Sequence, residues 1–234
     1  MCAQYLLHTT IDRLRKSLGL PLIGVDHDDF TIDLRILPYR LAPIVRGAPA
    51  GYQLIDANFS LIPSWAKEPK MKFATHNARI ETVLEKPTWK KPFVKSRCVI
   101  PISRFVEPIY TNQFAGNMVR FFSKAEDLLW AAGIFDEWIH RDTGEVITSF
   151  SIITKDPPGF IFETGHDRCP LFLKPAAFSS WLDAREAHPE ILMNTLLANE
   201  AEHEFFAEID RPMAKGWEKR IPKDETEAQK SVSL

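Results

Sequence analysis

The chain has 234 residues, of which 45% are hydrophobic and 26% are charged, and its formal net charge at pH 7 is −2. This length suits one ordinary domain with a substantial core, and the composition is that of a soluble globular protein. No apolar run approaches the ~20 residues of a membrane helix, and the N-terminus lacks the basic and apolar regions of a signal peptide. We therefore expect a single domain over residues 1–222, located in the cytoplasm.

Apolar periodicity and turn residues predict the elements of the first part of the chain. Ile11, Leu14 and Leu18 form one apolar stripe of a helix, which Gly19 and Pro21 stop. The predicted elements up to residue 87 are a strand at 2–7, a helix from Thr9 or Thr10 to about Leu18, a strand at 30–36, a loop at 41–51, an extended segment at 52–62, an irregular segment at 67–73, and a loop at 75–82 entering a helix that Pro87 ends.

The second part of the chain is predicted to be mostly β structure followed by helices. A polar turn at 141–144 joins two of its strands as a hairpin. The predicted elements are strands at 98–102, 105–107, 118–122, 128–138 and 146–154, a helical turn at 158–163, a loop at 165–170, helices at 176–182 and 189–201, and a mobile polar tail at 223–234. Many irregularly spaced strands with few helices indicate an α+β, mostly-β domain and not a βαβ array.

Three cysteines, Cys2, Cys98 and Cys169, are widely spaced and form no CxxC pair. This usage argues against a disulfide framework or a zinc finger and fits a reducing cytosol. Cys98 lies in an apolar strand and is predicted to be a core residue, whereas the exposure of Cys169 stays open. We expect no metal and no cofactor.

The distribution of charge is more informative than its sum. Residues 67–97 contain nine basic and three acidic residues, a net charge of +6, so the remainder of the chain carries −8. Trp65, Phe73, Trp89 and Phe93 lie among these basic residues. Cations for phosphates and rings for unstacked bases are typical of a single-stranded nucleic-acid surface. An ordinary charged surface over core aromatics explains the pattern equally well.

The first two residues, Met1 and Cys2, offer unusual chemistry. Position 2 is small enough for Met1 to be removed, which leaves an α-amine and a thiol on the same residue. The amine titrates near about 7.7–8 and the thiol near about 8.5, so both are nucleophilic at neutral pH. Together they can convert an aldehyde first to an imine and then to a five-membered ring. A cysteine placed there by chance is the alternative.

A nucleophile at Cys2 requires a polar anchor for the amine, a carboxylate to move protons and a second acid or base. Asn77, Glu107 and His166 are the candidates for these roles, each in a loop or at a strand end. The alternatives are an N-cap asparagine, a paired surface carboxylate and a hydrogen-bonded structural histidine. Asp167 and Arg168 are predicted to make a structural ion pair. His76 and the four histidines at 8, 27, 140 and 188 receive no role.

Several runs of residues resemble one known family, the SOS-response-associated peptidase (SRAP) family of abasic-site DNA–protein crosslinking proteins. The match extends to about Leu182, and the two longest runs are together specific. The resembling residues are Met1-Cys2, Pro63-Ser64-Trp65, Asn77-Ala78-Arg79-Ile80-Glu81-Thr82, Arg97-Cys98-Val99-Ile100-Pro101, Phe105-Val106-Glu107 and His166-Asp167-Arg168-Cys169-Pro170.

The resemblance implies a twisted β-sheet or open-barrel core with peripheral helices and a basic groove. It implies that Cys2 forms a thiazolidine with the ring-opened aldehyde of an abasic site in single-stranded DNA. Asn77 would hold the N-terminal residue, while Glu107 and His166 would transfer protons. The residues expected to bind DNA are Arg79, Trp65, Lys67, Lys70, Lys72 and Gln4. We expect a monomer that associates with the nucleoid when it is bound to DNA.

Two positions depart from the family pattern. Members usually begin Met-Cys-Gly-Arg, whereas this chain has Ala3 and Gln4, and Gln4 lacks the charge that arginine would offer to phosphate. The affinity for DNA is then lower, or the charge is supplied by the lysines at 67–72. Pro108 replaces the usual aromatic residue after Glu107, which is expected to alter the local backbone.

The sequence is compatible with three functions. The first is covalent capture of abasic sites, by a protein whose activity would be classed as that of a hydrolase, peptidase or lyase. The second is a cysteine peptidase in which Cys2 attacks an amide with His166 as its base. The third is a single-stranded DNA-binding module without turnover, in which residues 67–97 provide the binding surface.

Overall fold

A computed structural model describes residues 3–19, 22–23, 30–183 and 188–221 of the chain. The start of the strand predicted at 2–7 and the tail predicted at 223–234 lie partly or wholly outside these residues. Across the ranges that are described, no helix is long and apolar enough to cross a membrane.

Within the described ranges, thirteen strands make up most of the regular structure. They are β1 (Tyr5–Thr10), β2 (Leu22–Ile23), β3 (Thr31–Ile36), β4 (Leu41–Ala48), β5 (Gly51–Phe59), β6 (Asn77–Arg79), β7 (Arg97–Ile102), β8 (Arg104–Ile109), β9 (Asn117–Ser123), β10 (Leu129–Ile139), β11 (Val146–Lys155), β12 (Cys169–Pro170) and β13 (Phe205–Pro212). The helices are α1 (Ile11–Leu18), α2 (Pro87–Lys95), α3 (Gly159–Thr164), α4 (Phe178–Trp181) and α5 (Pro189–Ala198). Short 3-10 segments lie at Asn112–Phe114, Pro175–Ala177 and Trp217–Arg220.

The strands form two sheets. One has five strands in the order β13-β9-β8-β1-β3, and the other has the order β12-β11-β10-β7-β4-β5-β2 with β6 paired to β11. Arg35 on β3 and Asp210 on β13 are hydrogen-bonded, so the two edge strands of the five-stranded sheet meet and give it a barrel-like shape. The prediction of a mostly-β, open-barrel fold with peripheral helices is confirmed.

A shared apolar core joins the two sheets. Its aromatic residues come from both sides, including Phe105 and Phe121 of the five-stranded sheet and Phe59 and Phe150 of the larger one. Phe59 stacks on Phe150 with ring centroids 5.2 Å apart, and the ring of Tyr5 meets Phe59 edge-on at 5.4 Å. The first described strand is therefore attached to the centre of the molecule and not to its periphery.

Helix α1 follows the sequence prediction closely. Thr10 is its N-cap and accepts a hydrogen bond from the backbone N–H of Arg13, and Gly19 ends it in the left-handed conformation with φ 67°. Ile11 and Leu14 are fully buried and Leu18 is 4% exposed. The predicted cap, apolar stripe and stop signal are all confirmed.

The loop predicted at 41–51 is wrong, because this stretch forms the hairpin of β4 and β5. Ala42, Ile44 and Val45 are buried, and they supply the apolar surface that makes the segment a strand. Pro43 is tolerated since β4 pairs with β7 only at Val45 and Arg46, which leaves no β7 partner opposite the proline.

The helix predicted to end at Pro87 is also wrong, because Pro87 begins α2. Proline lacks an N–H and has a fixed φ, so it suits the first turn of a helix, where that N–H has no acceptor. The preceding stretch contains β6, which pairs in parallel with β11 and places Asn77 opposite Ile152. Strand β13 lies beyond the last predicted helix and was not predicted.

Most of the remaining predictions agree with the structure, but the helix predicted at 189–201 ends at Ala198, because Glu200 and Ala201 pair with Leu173 and Phe172 instead. Five predicted strands correspond to β7 to β11, and the hairpin turn before Glu145 has Gly144 at φ 72°. The helical turn predicted at 158–163 is α3. Pro108 stays within β8, where it pairs with Met118, so the substitution does not interrupt the strand that carries Glu107.

Candidate active site

Glu107 and His166 are in direct contact inside the protein. Nε2 of His166 lies 3.0 Å from Oε2 of Glu107, and their side chains are 5% and 0% exposed. Glu107 is the fourth residue of β8, whereas His166 follows α3 at a distance of 59 residues along the chain. The fold thus brings together two of the residues that the sequence predicted to share the proton transfer.

The turn after α3 determines where His166 lies. Gly165 has φ 104°, a conformation that favours glycine, and a Cβ there would come within 3.1 Å of the Thr111 side chain. The Asn112 side chain donates to the carbonyl of Glu163 at 2.9 Å. Because Thr111 and Asn112 follow β8 directly, both contacts fix the His166 turn against the strand that carries Glu107.

The neighbours of His166 favour its protonated form. Burial alone would lower the pKa of the imidazole, but the negative charge of Glu107 and its hydrogen bond outweigh burial and raise it. Nδ1 lies 3.0 Å from the carbonyl oxygen of Arg168 and accepts from the backbone N–H of the same residue at 3.2 Å, so its role as donor or acceptor depends on the tautomer. Glu107 and His166 therefore form a buried carboxylate–imidazole pair in which the carboxylate stabilises the protonated imidazole.

Arg168 holds this turn against the sheet. Its guanidinium makes a bidentate pair with Glu81, with both distances 2.9 Å, and contacts Asp156 at 2.8 Å. It also donates to the carbonyl of Thr154 on β11. The ion pair predicted between Arg168 and Asp167 is wrong, because the arginine extends to these partners and Asp167 is 73% exposed.

Asn77 lies buried at the start of β6, with 6% of its surface exposed. Neither its amide oxygen nor its amide nitrogen has a hydrogen-bond partner among the residues that the structure describes. A buried amide without partners is costly, at about 1–3 kcal/mol, so it is typical of a site that binds another group. This is the state expected of an anchor whose partner is a terminal residue or a ligand.

His76 was missed by the sequence analysis and lies beside the same site. Its ring is 9% exposed and meets Phe59 edge-on at 5.6 Å, and within the described part of the chain Nε2 has no partner. Burial lowers the pKa of this histidine, although the charge of Glu107 acts in the opposite direction. A neutral imidazole therefore lies next to Asn77, within reach of the Glu107 charge. A single histidine before Asn77 gave no signal of this in the sequence.

Cys2 lies outside the described residues, but its neighbour Ala3 does not. Tyr5 pairs with Phe105, and the N–H of Val106 donates to the carbonyl of Gln4 at 2.9 Å. This antiparallel ladder, continued by one residue, sets Ala3 opposite Glu107. The chain therefore enters β1 beside the carboxylate of the candidate site.

The other two cysteines are unsuited to nucleophilic chemistry. Cys98 is fully buried and Cys169 is 2% exposed, so the prediction that Cys98 belongs to the core is confirmed. Burial raises the pKa of both thiols. Because the thiolate is the reactive form, neither cysteine is a nucleophile in the folded protein.

The aromatic residues at positions 65, 73, 89 and 93 divide into two groups. Trp65 and Phe73 are 55% and 49% exposed, and with Pro87 and Trp89 they line a surface pocket of about 380 Å³. Phe93, in contrast, is fully buried and packs against Trp181 in the core. The core interpretation is therefore confirmed for Phe93, whereas nucleic-acid binding by the exposed rings of Trp65 and Phe73 stays a prediction.

The predicted DNA-binding cations are mostly at the surface. Arg79 is exposed at the end of β6, and Lys67, Lys70 and Lys72 are exposed in the irregular segment after Trp65. Arg97 does not share this property, since it is 4% exposed and donates to the backbone carbonyl of Trp181. Gln4 is also buried, at 3% exposure, and its amide oxygen accepts from Arg211 at 2.9 Å.

No group of three or more histidine, cysteine, aspartate or glutamate residues that could hold a metal ion occurs in the described ranges. The side chains that the structure brings together here are the buried Glu107–His166 pair, the buried amide of Asn77 and the imidazole of His76.

Comparison with known proteins adds the following findings. The family model described as SOS response associated peptidase (SRAP) matches residues 1–211. An abasic site processing protein of Bacillus subtilis, YoqW, is 26% identical over 202 residues, which cover 86% of this chain and 89% of that protein. The abasic site processing protein HMCES of Gallus gallus is 35% identical over 158 residues, but this match covers 57% of the chain and 46% of HMCES.

Solved structures resemble the fold over nearly its whole length. A protein of Bordetella bronchiseptica matches with a TM-score of 0.70 and 21% identity, covering 90% of this chain and all of the other. A protein of Bacteroides thetaiotaomicron matches with a TM-score of 0.68 and 22% identity, covering 97% and 99%. At these identities the likeness concerns the fold alone.

Proposed function

Because the chain belongs to the SOS response associated peptidase family, we propose that it processes abasic sites in single-stranded DNA through a covalent bond to Cys2. The relatives named abasic site processing proteins support this substrate. The observation that carries the proposal is the buried contact between Glu107 and His166, beside the amide of Asn77. This contact provides a proton donor and a proton acceptor beside the start of β1.

The reaction has two bond-forming steps after removal of Met1. The neutral α-amine of Cys2 adds to the aldehyde of the ring-opened sugar, and one water leaves as the imine forms. The thiol then adds across the C=N bond: sulfur bonds to carbon, and the thiol proton reaches nitrogen. The product is a thiazolidine, and the balance of both steps is the loss of a single water.

The side chains of the site match the proton movements of these steps. Opening the sugar ring and expelling water both need an acid, and the protonated His166 held by Glu107 supplies one. The amine must lose a proton before it attacks, for which the Glu107 carboxylate is the base. Asn77 holds the terminal residue through its amide. Burial of the pair limits exchange with bulk water during the transfer.

The surface around residues 65–91 suits the DNA strand. Exposed lysines and Arg79 neutralise phosphates, and the exposed ring of Trp65 stacks on a base that flanks the lesion. In the peptidase alternative His166 would have to act as a base toward the Cys2 thiol, and the Glu107 charge that raises the pKa of the imidazole favours its protonated form instead.

A denaturing gel tests the proposal directly. The purified protein is incubated with a single-stranded oligonucleotide carrying one abasic site, after mass spectrometry has confirmed removal of Met1. We expect a shifted, heat-stable band that Cys2→Ala and a blocked N-terminus abolish, and that Glu107→Gln and His166→Gln slow. Cys169→Ala is the matched control and should retain the band, because that thiol is buried.

Borohydride separates the two steps. Cys2→Ala keeps the amine but loses the thiol, so we expect it to give a stable band only when borohydride reduces the imine. Absence of any band with the wild-type protein, under conditions where Met1 is gone, would overturn the proposal. Hydrolysis of peptides without a band would then indicate the peptidase, and salt-sensitive binding with neither activity would indicate a binding module.

A further inference from the structure

A group of charged side chains closes the five-stranded sheet at the start of β1. Arg35 on one edge strand makes a bidentate pair with Asp210 on the other, at 3.0 and 2.8 Å. The Asp210 side chain is 4% exposed, and its two arginine neighbours lower its pKa, so it is ionised at neutral pH. Arg211 contacts the same carboxylate and extends to Gln4, the residue before β1.

This group of side chains carries a net positive charge. Two guanidinium groups share one carboxylate, so Arg35, Asp210 and Arg211 together carry +1. The arginine side chains are 41% and 45% exposed, whereas Asp210 lies beneath them. The excess charge therefore faces solvent on the side where an anion can approach.

Gln4 provides a second, independent sign of an absent ligand. Its amide oxygen accepts from Nη2 of Arg211 at 2.9 Å, which fixes the guanidinium in place. Its amide nitrogen Nε2 is buried and lacks a hydrogen-bond partner in the described part of the chain. An anion held by the Arg211 guanidinium would accept a hydrogen bond from this donor as well, and would remove the cost of leaving it unpaired.

The position of the group points to the identity of the anion. Gln4 is separated from Cys2 by one residue, and two residues of chain span at most about 7 Å. We propose that Arg211, held by Gln4 and Asp210, binds a backbone phosphate of the DNA next to the nucleotide that Cys2 captures. This inference rests on the proposed function, and it adds a specific phosphate subsite to it. It also gives a source of charge at the position where the family pattern led us to expect an arginine.

The arrangement differs from a general basic surface in one testable respect. The cation comes from β13, near the far end of the chain, and it depends on Gln4 for its position. An arginine placed at position 4 should therefore replace Arg211, because it would bring the same charge to the same place from the residue before β1.

The test measures binding without crosslinking. Fluorescence anisotropy is recorded with single-stranded DNA containing a tetrahydrofuran abasic analogue, which has no aldehyde, over a range of salt concentrations. Loss of one phosphate contact from a single strand reduces the slope of log K against log salt by about 0.7, which corresponds to roughly 5-fold weaker binding at 0.1 M salt. We expect this change for Arg211→Gln, and wild-type behaviour for the double variant Gln4→Arg with Arg211→Gln.

Two controls complete the design. Arg141→Gln removes the same charge from the exposed turn after β10 and should leave slope and affinity unchanged. Arg211→Lys keeps the charge and should keep the slope, and thermal unfolding of each variant shows that it is folded. An unchanged slope in Arg211→Gln would overturn the subsite, and so would a double variant that stays as weak as Arg211→Gln.

Failure of the subsite and failure of the proposed function give different results. With DNA that carries a natural abasic site, the wild type and the Arg141→Gln control should both form the crosslink. If the slope does not change while crosslinking persists, only the subsite is wrong. If no variant and no wild-type protein crosslinks, the function itself is wrong, whatever the salt dependence shows.

Discussion

Ser60 is expected to be a strained residue whose replacement by glycine stabilises the protein. Its φ is 145°, a backbone conformation that residues other than glycine rarely adopt, and the residue is 1% exposed. Within the described ranges its hydroxyl is buried without a hydrogen-bond partner. Its backbone N–H donates to the carbonyl of Phe150, so neighbouring strands maintain this conformation. Strain of this kind persists where the surrounding structure enforces it.

The size of the effect follows from three contributions. The backbone conformation costs about 1–3 kcal/mol, and an unpaired buried hydroxyl costs roughly 1–3 kcal/mol. Glycine loses more conformational freedom on folding, which costs about 0.5–1 kcal/mol. We therefore expect Ser60→Gly to raise the free energy of unfolding by roughly 1–5 kcal/mol. For a chain of this length, each kcal/mol of added stability raises Tm by about 2–4 °C.

Ser60→Ala is the matched variant, since it removes the hydroxyl and keeps the backbone strain. Urea and thermal unfolding should rank the three proteins glycine above alanine above serine. A glycine variant no more stable than the alanine variant would refute the strain, and an alanine variant no more stable than wild type would refute the cost of the hydroxyl. Leu61, the next residue, donates to the carbonyl of Thr75 beside the candidate site. The same variants therefore report whether this strain affects crosslinking.

Four further results are expected. Glu107→Gln should lower the pKa of His166 in an NMR titration, because the charge and hydrogen bond that raise it are lost while burial remains. For the same reason, the stability that protonated His166 contributes should be complete below about pH 6.5 and should disappear as the pH rises through its folded-state pKa, a dependence that His166→Gln removes. Gly165→Ala should lower the free energy of unfolding by about 1–3 kcal/mol and slow crosslinking, since φ is 104° and the new Cβ meets the end of β8 at 3.1–3.2 Å. A thiol reagent should leave Cys98 and Cys169 unmodified until the protein is denatured, and rapid labelling of either would contradict their burial.

The fold could be predicted where local signals agree with the tertiary structure. Thr10, the apolar stripe of α1 and Gly19 all specify the same helix, and the structure has it at the predicted residues. The prediction failed at two prolines, because proline is compatible with more than one local structure. Pro87 was interpreted as a stop although it begins α2, and Pro43 suggested a loop although it lies in β4. Only the pairing of β4 with β5 and β7, which is a long-range property, decides the second case.

The residues of the candidate site could be predicted from the sequence, but the contacts between them could not. Asn77, Glu107 and His166 were found through runs that resemble a family, and the structure brings the last two within 3.0 Å. His76 and Arg211 were not found, because a single histidine and an arginine of an unpredicted strand have no local pattern. Their significance depends on the neighbours that the fold gives them, Glu107 in one case and Gln4 in the other.

The candidate site lies where the two sheets meet, and this explains how an N-terminal residue can act with precision. Glu107 belongs to the five-stranded sheet, whereas Asn77 and the strand before α3 belong to the other. Chain termini are usually poorly ordered unless other parts of the structure hold them. Here the ring of Tyr5, three residues after Cys2, packs on Phe59 in the shared core. Strand β1, which follows the proposed nucleophile along the chain, is therefore held by the same core that packs against Phe105 of β8, so substitutions beneath Tyr5 should slow the proposed crosslinking even where the protein stays folded.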